Sequence, residues 1–175
     1  TASFGHGITT TLIQLVKAYS IIANGGYNID PTLIKNKNRN KRQKILNDDV
    51  SKKILPILRK IVSTKNGTAS LANVSGFEVG GKTGTAQKSI NGIYTNKKIN
   101  SFLSVFPTSR PKFVMAVMLD EPKISKDYIY HYRDGSNIKY KGTPFNTAGW
   151  TSVEVTGQIL DKIGPILATK YSEVN

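Results

Sequence analysis

The chain has 175 residues and a formal net charge of +14 at neutral pH, with 38% hydrophobic and 21% charged residues. That length is enough for one domain with its own core and does not require a second, and the composition is that of a globular protein. No cysteine is present, which excludes a disulfide framework and a cysteine metal site; with only His6 and His131, neither a metal nor a cofactor is expected.

The longest uninterrupted apolar run, Phe113 to Leu119, is seven residues, far below the about 20 that a membrane helix needs. The start lacks the basic-then-apolar pattern of a secretory signal, and a chain beginning at Thr1 reads as a piece of a longer or processed protein. The positive charge raises the question of nucleic acid. Its densest cluster is Lys35, Lys37, Arg39, Lys41, Arg42 and Lys44. Lys, Asn and Ile dominate throughout, as an AT-rich coding background would produce, so no nucleic-acid partner is assigned. The cluster reads by default as a solvated loop, with an anionic membrane surface or polymer as the alternative.

Along the chain, Thr9 or Thr10 is positioned to cap a helix whose Leu12, Leu15, Val16, Tyr19, Ile22 and Ala23 recur at helical spacing, and Asn24-Gly25-Gly26 ends it. That stripe reads as core packing. Pro31 to Ile34 reads as a short extended piece. Asn47 or Asp48 opens a second helix with Val50, Ile54, Leu58, Ile61 and Val62 on one face. Pro56 predicts a kink there or two shorter helices. Asn66-Gly67-Thr68-Ala69 is a loop, and Ser70 to Ser75 a short turn-bounded segment.

Three candidate strands follow, Phe77 to Gln87, Ile99 to Phe106 and Phe113 to Leu119, the last apolar throughout as a buried strand would be. Their short links favour antiparallel neighbours, giving an α+β fold with helices packed on an antiparallel sheet. Residues 121 to 148 have no clean periodicity and read as a long surface loop, or as a flap beside a ligand groove. Thr151 and Glu154 have capping-box spacing and open a last helix that Gly164-Pro165 breaks or kinks.

The stretch Gly80 to Lys88 contains Lys82-Thr83-Gly84-Thr85. On a strand, Lys82 and Gly84 share one side, and Thr83 and Thr85 the other. One cation, two hydroxyls and a glycine at a sheet edge suit an extended, negatively charged ligand lying along the backbone. The bland alternative is a glycine-rich turn with one solvated lysine.

The segments Ser3-Phe4-Gly5-His6-Gly7-Ile8, Leu15, Ala18-Tyr19, Ile22 to Gly26, Asn66 to Ala69, Gly76-Phe77, Val79 to Lys88 and Leu119 to Lys123, with a weaker echo at Thr147-Ala148-Gly149-Trp150, resemble class B penicillin-binding proteins. The likeness is closest to division-type peptidoglycan D,D-transpeptidases and covers residues 3 to 123 in order. It implies a partial transpeptidase fold akin to the serine β-lactamases, with residues 1–175 forming the C-terminal part of one domain. The resemblance further implies that Lys82 supplies positive potential and that the Thr83 and Thr85 hydroxyls, at the Gly84 gap, hold a substrate carboxylate. It implies as well that the Thr85 backbone N–H completes an oxyanion hole. Peptidoglycan stem peptides and β-lactams would be the ligands, division proteins the partners, and the outer, periplasmic side of a bacterial inner membrane the location, with a membrane anchor upstream.

The family's nucleophile belongs to a Ser-x-x-Lys element upstream of the lysine, followed by Ser-x-Asn. Ser109-Arg110-Pro111-Lys112, Ser136-Asn137-Ile138-Lys139 and Ser89-Ile90-Asn91 match by letters, but all lie downstream of Lys82 and are as frequent as chance predicts in a chain this rich in serine and lysine. The expectation is that the nucleophile is not in this chain. Two alternatives stand beside the transpeptidase reading: a non-catalytic peptide-binding module, and a β-lactamase or β-lactam sensor.

Overall fold

A computed structural model describes residues 8–34 and 43–172. The elements run α1 (Leu12–Ala23), α2 (Asp48–Ser63), β1 (Gly80–Ile90), β2 (Ile93–Phe106), β3 (Phe113–Asp120), β4 (Ile129–His131), β5 (Lys139–Lys141) and α3 (Ser152–Ser172), with 3₁₀ turns at Ser70–Ala72 and Ala148–Trp150. Strands β1, β2 and β3 form one antiparallel sheet in that order, and β4 with β5 a separate antiparallel ribbon. The chain is α+β, as expected. The segment 3–7 of the resemblance and most of the basic cluster lie outside the described residues. Lys44, the cluster's last cation, pairs with Asp48 at 2.9 Å and lies over the Tyr27 ring.

The core gathers where the helices meet β2. Phe102, Phe106, Val62, Val79, Val153 and Leu160 are buried together with Leu71 and Tyr130. Residues 102 to 106 of β2 are buried without a break, because this strand has a neighbour on each edge and cover on both faces. The strand itself runs six residues further toward its start than its apolar pattern indicates: Asn96, Lys97 and Lys98 hide its continuation as half of a hairpin closed at Asn91-Gly92.

Other sequence expectations shift for local reasons. Helix α1 is capped by Thr11, not by Thr9 or Thr10; the Thr11 Oγ1 accepts from the Gln14 N–H, and the Gln14 side chain accepts from the Thr11 N–H at 2.8 Å. None of its residues is buried, so its apolar stripe lies over β2 and β3 without being enclosed. Helix α2 continues through Pro56 as one 16-residue helix. Pro56 is exposed, so the carbonyl it leaves unpaired one turn back, on the exposed Lys52, faces water. Residues Pro31 to Ile34 form no strand. Phe77 stays out of β1, because Glu78 has φ of +45° and turns the backbone just before the strand begins. Strand β3 contains no buried residue, since it is an edge strand and not the enclosed one its apolar run suggested.

The largest correction concerns residues 121 to 147, which are not a plain surface loop. They carry the β4–β5 ribbon, folded back so that the Tyr130 ring is buried against Trp150 at 4.9 Å between centroids. Arg133, just after β4, donates to the Leu71 and His131 carbonyls and reaches Glu154 on α3 through both of its terminal nitrogens, at 2.9 and 2.8 Å. Glu154 therefore does not complete a capping box. Thr151 instead donates its hydroxyl to the Thr147 carbonyl, and α3 runs unbroken through Gly164-Pro165, with Pro165 exposed.

The Tyr128 hydroxyl also donates to Glu154, at 2.9 Å. Burial first, then that hydrogen bond and the Glu154 charge, push the Tyr128 pKa up to about 12. The folded protein thus holds the phenol proton more tightly than the unfolded chain does. This contribution to stability is complete below about pH 10 and declines as pH rises from about 10 to about 12. Denaturant midpoints measured at closely spaced alkaline pH are expected to fall in that window, and Tyr128→Phe to flatten the fall. An unchanged slope in the variant would assign the alkaline loss to other groups.

Candidate active site

Among the described residues strand β1 is an edge strand, paired only with β2, and Lys82 to Thr85 lie opposite Leu103 to Asn100. Lys82 is exposed, and its Nζ donates to the Thr83 carbonyl at 2.8 Å. Among the described residues it makes no ion pair. A lysine reaching that carbonyl puts the Thr83 main chain on the open side of the strand. Alternate residues of an antiparallel strand present their N–H and C=O the same way, so the N–H and C=O of Thr85 share that open side.

The side chains alternate. Gly80 faces α2: a Cβ there would come within 2.9 Å of the Arg59 nitrogen. Lys82 and Gly84 follow on the same side. At Gly84 a Cβ would sit 2.7 Å from the Ser101 Oγ, so the position across from Ser101 has no room for a side chain. Thr83 and Thr85 project to the other side. There the Thr83 Oγ1 is 3.4 Å from the Thr68 Oγ1, and the Thr85 Oγ1 accepts from the Ala148 N–H at 3.0 Å.

Two segments outside β1 therefore complete the site. One is the loop carrying Thr68, which leads into the buried Ser70–Ala72 turn. The other is the Ala148–Trp150 turn. They touch each other, since a Cβ on Gly149 would lie 2.6 Å from the Thr68 carbonyl. Asn100, fully buried and opposite Thr85, fastens the second segment to the sheet, with its Nδ2 donating to the Asn146 Oδ1 and the Thr151 Oγ1, each at 2.9 Å. Sequence reasoning passed over Asn100 and Ser101. Thr68 and Ala148 lay within segments quoted for the resemblance, where nothing local indicated that either would reach the strand.

This arrangement has a chemical consequence. Because the Thr85 oxygen accepts from a main-chain N–H, its own proton is free to donate toward a ligand. Two hydroxyls, an ammonium and outward main-chain groups thus line one open strand edge, a set that fits an anion at the end of an extended chain.

The serines that matched nucleophile patterns by letters lie elsewhere. Ser109 sits in the β2–β3 connection with its hydroxyl and N–H on the Glu78 carboxylate, which holds the Glu78 pKa below its usual value. Ser136 lies in the β4–β5 turn with its hydroxyl on Asp134 at 2.6 Å. Ser89 lies near the tip of the β1–β2 hairpin, beside the register shift at Gln87.

Comparison with known proteins agrees with this picture. Residues 1–138 match the family model described as the penicillin-binding protein transpeptidase domain. The chain is 30% identical over 179 aligned residues to a probable peptidoglycan D,D-transpeptidase FtsI of Caulobacter vibrioides, an alignment covering 96% of this chain and 28% of that protein. It is 33% identical over 129 residues to a probable peptidoglycan D,D-transpeptidase PenA of Neisseria flavescens, covering 73% and 32%. To stage V sporulation protein D of Bacillus subtilis it is 38% identical over 136 residues, covering 70% and 21%. Among solved structures, the transpeptidase domain of penicillin-binding protein 3 from Burkholderia pseudomallei superposes with a TM-score of 0.72 at 28% identity, covering 95% of this chain and 45% of that one. The chain spans about a third or less of these curated relatives. It belongs to the transpeptidase family of class B penicillin-binding proteins.

Proposed function

We propose that this chain is the C-terminal part of a peptidoglycan D,D-transpeptidase domain, and that β1 is the strand that grips the substrate. The observation that carries this reading is the open edge at Lys82 to Thr85, with the Thr85 hydroxyl oriented by the Ala148 N–H. A stem peptide ending in D-Ala-D-Ala lies along β1 as an added strand. Its terminal carboxylate accepts hydrogen bonds from the Thr83 and Thr85 hydroxyls in the field of Lys82.

A serine outside this chain attacks the carbonyl between the two D-alanines, and the Thr85 N–H donates to the oxygen that becomes negative. The C–N bond breaks, the terminal D-alanine leaves with a proton as its amine, and the serine holds the peptide as an ester. The amine of a second stem peptide then displaces the serine and closes the cross-link. β-Lactams enter the same groove, because they offer a carboxylate and a strained amide at a similar separation. The working location is outside the cytoplasmic membrane, in the company of division proteins. The test is release of D-alanine from such a peptide by the complete protein, with and without substitution at Lys82 and Thr85.

The surface of this chain supports the half-domain reading. Helix α1 has no buried residue and leaves Leu12 and Ile13 exposed, and β3, itself without a buried residue, has one edge unpaired among the described residues. Apolar surface of this kind is covered in a completed fold. Sedimentation of the isolated chain is expected to show self-association, or a monomer with a broad, low unfolding transition. A compact monomer that melts sharply contradicts the half-domain reading.

A further inference from the structure

Beyond the Gly80 end of β1, a cavity of about 300 Å³ opens between the C-terminal half of α3 and the β2–β3 connection. None of its lining residues belongs to β1. Its body is apolar, formed by Phe77, Phe106, Phe113, Leu167, Ala168 and Tyr171. The walls are held in place. Phe106 and Phe113 stack at 5.3 Å between centroids, and Tyr171 meets Phe113 edge-on at 5.1 Å. Lys112 ties the end of α3 to the sheet by donating to the Tyr171 carbonyl at 3.1 Å. The Phe77 ring lies so close to α3 that a Cβ at Gly164 would be 2.6 Å from it.

Two exposed cations, Arg110 and Lys112, complete the lining, and among the described residues no acidic side chain joins them. Lys112 is engaged with the helix end. Arg110 has no hydrogen bond or ion pair among the described residues. The Glu78 carboxylate, which accepts from Ser109 next to Arg110 in sequence, is not among the lining residues. An apolar concavity with one free guanidinium beside it has the makings of a small-molecule site, in which the walls supply affinity and one polar group supplies orientation.

We propose that this cavity binds a small amphiphilic carboxylate, with its aryl or short alkyl body against Phe77, Phe113 and Leu167 and its anionic end on Arg110. The site is separate from the strand edge and does not depend on the transpeptidase reading.

The test is titration of the complete protein with naphthalene-2-carboxylate and with its neutral analogue 2-naphthylmethanol, followed by calorimetry and by the methyl resonances of Leu167 and Ala168. The carboxylate is expected to bind one to one, about tenfold or more tighter than the alcohol, as a charge-assisted hydrogen bond provides. Arg110→Gln is expected to bring the two probes to equal affinity. Ala168→Trp, at an exposed helix position, is expected to abolish both. The same protein ending at Ser172 is expected to bind like the complete one; a tenfold gain on truncation would mean that the last residues fill the cavity, and would overturn the proposal. It is equally overturned by no binding, by equal affinity for the two probes in the unsubstituted chain, or by shifts that avoid Leu167 and Ala168. Should Ala168→Trp fail to fold, the Arg110→Gln comparison and the methyl shifts decide the matter.

Discussion

Glu154→Ala is expected to destabilise the fold by about 3 to 5 kcal/mol, the cost of removing one partner from a buried ion pair. The carboxylate is 4% exposed and accepts from Arg133, Tyr128 and Gln158. Without it the Arg133 guanidinium, itself 10% exposed, keeps its bonds to two carbonyls but loses its counter-charge. Measured in the complete protein, where the domain is whole, the loss corresponds to a fall in melting temperature of about 10 °C. Replacing both partners with apolar residues, Glu154→Leu with Arg133→Met, is expected to recover most of it, because no charge is then stranded. Thermal and denaturant unfolding of these two variants beside the unsubstituted protein gives the answer. If Glu154→Ala costs less than about 1 kcal/mol, water reaches Arg133 and the ribbon of residues 121 to 147 is not docked as described. The pair matters for function because that ribbon runs directly into Ala148, whose N–H orients Thr85.

The second large effect belongs to the strand edge. In the complete protein, Thr85→Val keeps the β-branched shape and the backbone N–H but removes the hydroxyl. Acylation by a β-lactam, and D-alanine release, are each expected to fall by about 10² to 10³, the loss typical of one positioned donor. Lys82→Ala is expected to cost a similar factor by removing the local positive field. Lys82 is exposed, and Lys82→Ala should move the melting temperature by no more than a degree or two. Thr85→Val, in contrast, leaves the N–H of the buried Ala148 without its acceptor and is expected to cost about 1 to 3 kcal/mol of stability as well. The combined variant should lose less than the product of the two factors, since both act on the same carboxylate. Rates within a factor of two of the unsubstituted protein would remove β1 from the chemistry.

How much of this was legible in the sequence depended on the range of the interaction involved. Strand β3 and the buried half of β2 could be read from runs of apolar residues, and α1 and α2 from their spacing, because these signals are local. The motif at Lys82 was legible as residue types. Its neighbours were not: Thr68 and Ala148 reach Thr83 and Thr85 across 15 and 63 residues of chain, and no periodicity encodes such a meeting.

Misreadings came from strong local rules that tertiary context overrode. Pro56 and Pro165 predicted breaks, but each sits on an exposed helix face where the unpaired carbonyl is solvated. Thr151 and Glu154 had the spacing of a capping box, but Arg133 takes the carboxylate. The ribbon of residues 121 to 147 lacked a pattern because its order comes from one buried ion pair and a few packed aromatics, and not from a repeating apolar face.

The most direct test of the central claim, that this chain grips substrate but does not attack it, is covalent labelling with a fluorescent penicillin. The 175-residue chain, incubated with the probe, denatured and resolved on a gel, is expected to carry no label, whereas the complete protein should be labelled on a serine that precedes this segment. A stoichiometric serine adduct on the isolated chain would contradict the account.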